Sequence, residues 1–242
     1  MKSILVTGGN GQLGTELQRC AWPAGYEVVA IDVADLDLTD TAAIAAKVAE
    51  RPWAAVINGA AYTAVDKAES DLVTAWAVNA EAPARLAAIC NEHDLTLVHV
   101  SSDYIFDGTR EVHDEAEIPS PLSAYGASKA AGDTAAQVAR KHYVVRTAWV
   151  FGDGNNFMST MAGLAARGVE PKVIMDQRGR PTYAEDLAKG IAHLLRTRAE
   201  YGVYNLTSDG DAVGRDEIAM AVFIGVGHGP SEVHPVTTAQ YA

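Results

Sequence analysis

The sequence predicts an α/β fold, a doubly wound parallel sheet with a smaller C-terminal region. Three observations predict it. Short β-branched runs alternate with Ala-rich helical stretches, several runs are apolar throughout as strands covered on both faces must be, and a glycine-rich turn follows directly on the first run. Strands are expected at 3–7, 27–31, 55–58, 96–100, 143–146 and 172–175, with helices at 12–20, 41–50, 72–91, 124–140, 157–167 and 185–198. Residues 107–123, acidic and carrying Pro119 and Pro121, read as a loop of the kind that shapes a binding site at the carboxyl end of a strand.

After about Thr147 the pattern loosens into glycine-rich and polar connections. Two parts are therefore expected: 1–147, a nucleotide-binding domain, and 148–242, a mixed region holding the last sheet elements and a small lobe. The stretch Val233–Val236 reads as a strand whose following element is missing.

Composition narrows the function classes. A chain of 242 residues with 48% hydrophobic and 21% charged residues can bury one large core. The net charge of −12 repels nucleic acid and anionic membrane surfaces, and no apolar run reaches the length of a membrane span. The amino terminus passes from Met1-Lys2 straight into the first strand without a signal-peptide pattern, so the expected location is cytoplasmic. Cys20 and Cys90 have neither disulfide-framework nor metal-ligand spacing and read as plain helix residues.

Gly8, Gly11 and Gly14 stand at three-residue spacing between the first strand and a helix. Gly8 permits the tight turn, Gly11 lets the backbone approach a pyrophosphate, and Gly14 lets the helix pack on the sheet with its N–H groups facing the phosphates. This is the Rossmann-type dinucleotide loop, with Asn10, Gln12 and Leu13 as its other contacts. Asp32 closes the second strand 18 positions beyond Gly14, where a carboxylate accepts from an adenosine ribose and favours NADH; as a turn residue beside Asp35 and Asp37 it has an ordinary surface reading too. Asp37 and Leu38 are expected to border the adenine, and Ala60, Ala61, Tyr62 and Thr63, after the third strand, to lie along the cofactor.

Tyr125 and Lys129, four residues apart, share one face of a helix. A free phenol titrates near 10, and a cation beside it favours the phenolate and brings it toward the working range of an acid–base group. Of the Ser101-Ser102 pair closing the fourth strand, Ser102 is chosen as the hydroxyl that meets Tyr125. A Tyr above a solvated Lys is the ordinary reading of such spacing. The order of glycine loop, serine pair and Tyr/Lys helix is what a single cleft requires.

The segments TGGNGQLG, AAYTAVDKAE, SSDYIFDG, PLSAYGASKAAGD, RTAWVFGDGNNF and DQRGRPT together resemble the extended short-chain dehydrogenases, and among them the dTDP-4-dehydrorhamnose reductases, over essentially the whole chain. The resemblance implies NADPH or NADH as cofactor. It implies reduction of the C4 keto group of dTDP-4-dehydro-β-L-rhamnose to dTDP-β-L-rhamnose, a step toward surface polysaccharide. It implies Tyr125 as proton donor to the C4 oxygen, Lys129 as its activator and ribose anchor, and Ser102 as hydrogen-bond partner of the carbonyl. Ser102, Asp103, Tyr104, Trp149 and Asn156 become substrate contacts, although Trp149 also reads as core packing after a strand. Asn79 either supports the site through water or caps backbone groups. Members of this family continue several dozen residues past the position of Ala242, and some hold Mg²⁺ between subunits through a Glu near Glu185 and another in that tail; no metal is expected here. The expected partners are the nucleotide sugar and a second copy of the chain. A nucleotide-sugar 4-epimerase or 4,6-dehydratase shares the Tyr/Lys pair, but Tyr104 stands where a dehydratase would need an acid. A non-catalytic nucleotide-binding subunit, such as the regulatory subunit of methionine adenosyltransferase, is the other reading, against which Tyr125, Lys129 and Ser102 speak.

Overall fold

Strand β1 (Lys2–Thr7) has five consecutive buried residues from Ser3 to Thr7, so it lies under cover on both faces. The computed structural model describes residues 2–241. In chain order β1 is followed by α1 (Gln12–Arg19), β2 (Tyr26–Ile31), α2 (Thr41–Ala49), β3 (Trp53–Asn58), α3 (Val65–Ala68), α4 (Leu72–Trp76), α5 (Ala82–Glu92) and β4 (Thr96–Ser102). Then come α6 (Ala124–Ala136), β5 (His142–Thr147), β6 (Val150–Phe151), α7 (Phe157–Ala166), β7 (Lys172–Ile174), β8 (Arg178–Gly179), β9 (Thr182–Tyr183) and α8 (Ala184–Thr197). The chain closes with β10 (Gly202–Asn205), β11 (Val213–Gly214), α9 (Arg215–Gly225), β12 (His234–Val236) and α10 (Thr238–Tyr241).

Two units emerge. The first comprises residues 1–147 and 185–206, the second 148–184 and 207–242. The first unit leaves off at Thr147 and resumes at Glu185. The later segment is discontinuous, however, because α8 from Glu185 and the edge strand β10 belong to the first unit.

The first unit holds a six-stranded parallel sheet in the order β10-β5-β4-β3-β1-β2. The chain leaves β1 toward β2 and resumes on its other side with β3, so the order reverses beside β1. At such a point the carboxyl ends of neighbouring strands open a crevice. Leu5, Val56, Leu97 and Val144, one from each central strand, meet Ile44 and Val48 of α2 and Leu86, Ile89 and Cys90 of α5 in one buried cluster. Each such aliphatic side chain stabilises the fold by about 1.5–3 kcal/mol.

The sequence reads one helix over 72–91, but residues 77–81 form a π-turn between α4 and α5. Here the Asn79 side chain holds both backbone groups of Tyr62: Nδ2 donates to its carbonyl (3.0 Å) and Oδ1 accepts from its N–H (2.9 Å). Asn79 thus caps backbone groups. Helix α6 stops at Ala136, short of the expected Arg140. Asn91 takes over the chain, donating to the Val138 carbonyl and accepting from Arg140 N–H.

In the second unit α7 and α9 pack through Met161, Ala165, Ala219 and Phe223, joined by Val173 and Val233. Strand β7, expected among the sheet strands, pairs instead with β12. The strand read at 233–236 is present as β12, and an element does follow it: α10 begins at Thr238, whose N–H and hydroxyl both donate to Asp176.

Helix α6 lies so close to the π-turn that a Cβ at Gly132 would sit 1.9 Å from the Asn79 carbonyl oxygen. Gly132→Ala is expected to destabilise the chain by about 2–3 kcal/mol in chemical denaturation. An unchanged midpoint would show that the two segments separate easily.

Candidate functional site

The loop after β1 is built for close backbone approach. Gly8 has φ +70°, and a Cβ there would fall 2.8 Å from Ala60 N. A Cβ on Gly14 would lie 2.2 Å from the Gly8 carbonyl oxygen, and one on Gly11 3.3 Å from it. Gly11 is the N-cap of α1 and offers no side-chain cap, leaving the first-turn N–H groups to be met by something other than this residue's side chain. A loop that excludes side chains and leads into a helix N-terminus fits an anionic diphosphate.

Around that loop the expected cofactor contacts divide. Asp32 accepts from Asn10 N–H (2.9 Å) and from Val33 N–H (2.8 Å), so its carboxylate ties the glycine loop to the end of β2. The buried Leu13 lies 3.9 Å from the place of a Cβ on Gly59, turning its side chain inward. Gln12 opens α1. Leu38 does not border an open crevice with its side chain: it is buried in the core with Leu36 and Ile44, because the chain after β2 must cover that edge of the sheet. Asp37 turns back on Thr39, accepting from its N–H and hydroxyl at 2.8 Å, and these bonds hold its carboxyl below the usual range. Ala60 and Ala61 are half-buried beyond β3; Tyr62 has its backbone on Asn79 and its hydroxyl on Asp71 (3.3 Å), while Thr63 continues the segment.

Helix α6 places Tyr125 and Lys129 on the face it buries against β4, with exposures of 8% and 2%. Ser123 caps the helix by accepting from Gly126 N–H (3.0 Å). The Tyr125 phenol stands beside the Ser102 hydroxyl, and its ring meets Tyr104 edge-on at 5.4 Å. Ser102 in turn donates to Asp103 (3.1 Å) and accepts from Tyr104 N–H (3.2 Å). Tyr125, Ser102, Asp103 and Tyr104 thus form one cluster at the end of β4.

The electrostatics depart from expectation. Lys129 Nζ donates to the Val100 carbonyl at 2.7 Å, and burial pushes its pKa down to about 8. Burial also pushes the Tyr125 phenol up to about 12, against the opposing pull of the Ser102 hydroxyl, while Asp103 and Tyr104 raise it further. The lysine therefore does not lower the phenol in this arrangement: same-face spacing brings the two residues together, but the ammonium satisfies itself on the strand.

Beneath the cluster runs a buried polar chain that sequence reasoning missed. Thr7 donates to Asn58 Oδ1 (2.7 Å), and Asn58 Nδ2 meets His99 Nδ1 (3.1 Å). Because the Asn58 oxygen is engaged, its nitrogen donates, which assigns the ring proton of His99 to Nε2. Burial, with Lys129 adding to it, holds the imidazole well below its ordinary pKa and therefore neutral. Alternation on β1, β3 and β4 puts all three residues on one sheet face, yet only strand order says that they touch.

Two expected substrate residues belong to the second unit. Trp149 has φ +43°; its indole lies against Gly179, where a Cβ would be 2.5 Å away, and under the Arg215 guanidinium at 4.3 Å. Asn156 caps α7, accepting from Ser159 N–H (3.0 Å) and donating to the Gly152 carbonyl (2.7 Å). Glu185 pairs with Lys189 (2.7 Å), and among the described residues no three His, Cys, Asp or Glu side chains converge as metal ligands.

The family model described as the RmlD substrate binding domain matches residues 1–242. A dTDP-4-dehydrorhamnose reductase of Mycolicibacterium smegmatis is 40% identical over 240 residues, covering 96% of this chain and 72% of that protein. The chain belongs to the dTDP-4-dehydrorhamnose reductase family. A solved reductase of this name from Bacillus anthracis, in complex with NADP, superposes with a TM-score of 0.94 at 36% identity, covering 100% of this chain and 86% of that one. One from Clostridium acetobutylicum gives 0.92 at 38%, covering 99% and 85%. A UDP-glucose 4-epimerase of Thermus thermophilus shares the fold alone, at 24% identity.

Two outcomes follow for this family member. Gly14→Ala should weaken cofactor binding by about tenfold or more, read by fluorescence titration, since backbone and not a flexible side chain stands in the way of the methyl group. Unaltered affinity would remove the loop from the site. His99 is kept neutral when folded and takes up a proton when unfolded, so it contributes stability above pH 6.5 that is lost as pH falls. The stability gap between the parent and His99→Gln should narrow from pH 7 to pH 5; a constant gap contradicts the burial argument.

Proposed function

We propose that the chain is an NAD(P)H-dependent oxidoreductase that reduces the C4 keto group of dTDP-4-dehydro-β-L-rhamnose to dTDP-β-L-rhamnose. The observation carrying this reading is a buried phenol, Tyr125, one helical turn from Lys129 on the buried face of α6 and beside Ser102 at the end of β4, in a chain of this family. Gly8, Asn10, Gly11, Gln12, Leu13 and Gly14 hold the diphosphate through backbone, Asp32 takes the adenosine ribose, and the segment 60–63 lines the nicotinamide side. When bound, the dinucleotide supplies a hydride to the C4 carbon.

The chain's own residues supply the rest. Ser102 hydrogen-bonds the C4 oxygen and Tyr125 donates its phenolic proton to that oxygen as negative charge develops there, so a C=O bond becomes CH–OH with one hydride and one proton added. A phenol raised to about 12 stays protonated at neutral pH, the state a donor needs, and an alkoxide is basic enough to take its proton. Lys129 offers a cation below about pH 8, where it anchors the ribose. Asp103, Tyr104, Trp149 and Asn156 contact the nucleotide sugar in this reading.

A second copy of the chain completes the reading as a homodimer, for which the exposed Leu72, Val73 and Trp76 of α4 supply an apolar surface. Cytoplasm is the proposed location, where nicotinamide cofactors are made and used. No helix among the described residues is long and apolar enough to cross a membrane. A Streptomyces niveus relative, 38% identical, is named dTDP-4-keto-6-deoxy-D-glucose reductase, so both keto sugars belong in the assay.

Full-length protein mixed with dTDP-4-dehydrorhamnose and NADPH should bleach the nicotinamide absorbance, and Tyr125→Phe should lower kcat by about 10²-fold or more. No bleaching with either keto sugar ends the reductase reading.

A further inference from the structure

A third buried polar residue stands on the working face of α6. Tyr125, Lys129 and Asp133 follow at four-residue intervals, and Asp133 is fully buried. Arg146 of β5, itself 4% exposed, grips it with two bonds, Nε to Oδ2 at 2.9 Å and Nη2 to Oδ1 at 3.3 Å. Gln137 adds a third bond to Oδ1 at 2.9 Å. The remaining Arg146 nitrogen, Nη1, donates to the Glu115 carbonyl in the acidic loop (3.1 Å), and the guanidinium lies 5.4 Å from the Phe106 ring centre. On the sheet, Arg146 is in register with Ser101, next to Ser102.

A buried ion pair is a poor way to gain stability, since apolar residues of the same volume often serve as well or better. Its neighbours suggest another use. The Lys129 ammonium is buried on a carbonyl, and burial drives it toward the neutral form; Asp133 is the anion that opposes this. The other titratable groups on the packed elements act elsewhere. His99 on β4 is neutral, Asp103 and Tyr104 act on Tyr125, Asp71 bonds the Tyr62 hydroxyl, Glu69 accepts from Ala124 N–H, and Glu81 pairs with Arg85 at the surface.

We propose that Asp133, held by Arg146, is a positioning residue of the reaction: its carboxylate keeps Lys129 cationic in a dry site and fixes the Tyr125–Lys129 face of α6 against the sheet at β5. This rests on the reductase reading of Tyr125, Lys129 and Ser102. Arg146 aims the carboxylate and joins the helix to the acidic loop at one point.

The test is the pH profile of kcat with NADPH and the keto-sugar nucleotide. In the parent, kcat should fall above about pH 8 as Lys129 loses its proton. Asp133→Asn should move that alkaline limb down by about one pH unit and so lower kcat about twofold at pH 7 and about fivefold at pH 8, with KM for the sugar nucleotide changed less than about twofold. Asp133→Glu should restore the limb. Arg146→Gln should move it upward, because the carboxylate then acts without its counter-ion. Opposite shifts from the two halves of one pair are not produced by a purely structural role. Where a single variant fails to fold, Asp133→Asn/Arg146→Gln removes both halves of the ion pair together, and its limb should still lie below the parent's. A folded Asp133→Asn or double variant with the parent's limb overturns the inference. An inactive parent instead overturns the reductase reading on which it rests.

Discussion

The structure depends on burying a polar helix face against a sheet. Helix α6 turns Tyr125, Ser128, Lys129 and Asp133 inward, and each would destabilise the fold unless its polar atoms were met. Lys129 is met by the Val100 carbonyl, Ser128 by the Tyr125 carbonyl and Asn79, and Asp133 by Arg146 and Gln137, while the Tyr125 phenol lies beside Ser102. These partners are reached only because the helix comes very close. A Cβ on Gly126 would stand 2.2 Å from the Tyr104 carbonyl oxygen, and Gly132 meets Asn79 as tightly.

Close approach and burial together set the chemistry. A dry site makes the phenol a weaker acid and the ammonium a stronger one, opposite displacements with a single cause. The hydroxyl of Ser102 and the carboxylate of Asp133 oppose these displacements from the two ends of the helix face. The neutral His99, fixed through Asn58 to Thr7, runs beneath the same face and ties three strands together without adding charge.

Much of this was legible in the sequence wherever a requirement is local. Gly8, Gly11 and Gly14 stand out because a turn, a close approach and a helix contact each demand glycine within seven residues of one another. Tyr125 and Lys129 stand out because four-residue spacing means one helix face. The strands at β1, β3, β4 and β5 are visible as apolar runs. What escaped is non-local. Asp133 with Arg146 and Asn58 with His99 are made neighbours by strand order, not by spacing. The π-turn at Asn79 forms because a side chain reaches back to Tyr62, and the helical pattern over 72–91 carries no trace of that bond. The core position of the Leu38 side chain escaped because it stands next to an exposed aspartate in a segment without helical or strand periodicity. The edge strand β10 escaped because Gly202–Asn205 is four residues long and half-buried.

The most direct measurement is the fate of labelled hydrogen. With NADPH carrying deuterium on the transferred side of its nicotinamide C4, the product sugar should show one deuterium bonded to its own C4 carbon by NMR. Run in heavy water with unlabelled cofactor, that carbon should carry none. A C4 carbon labelled from water, or left unlabelled by the cofactor, would contradict direct transfer between a dinucleotide in the glycine loop and a carbonyl held by Ser102 and Tyr125.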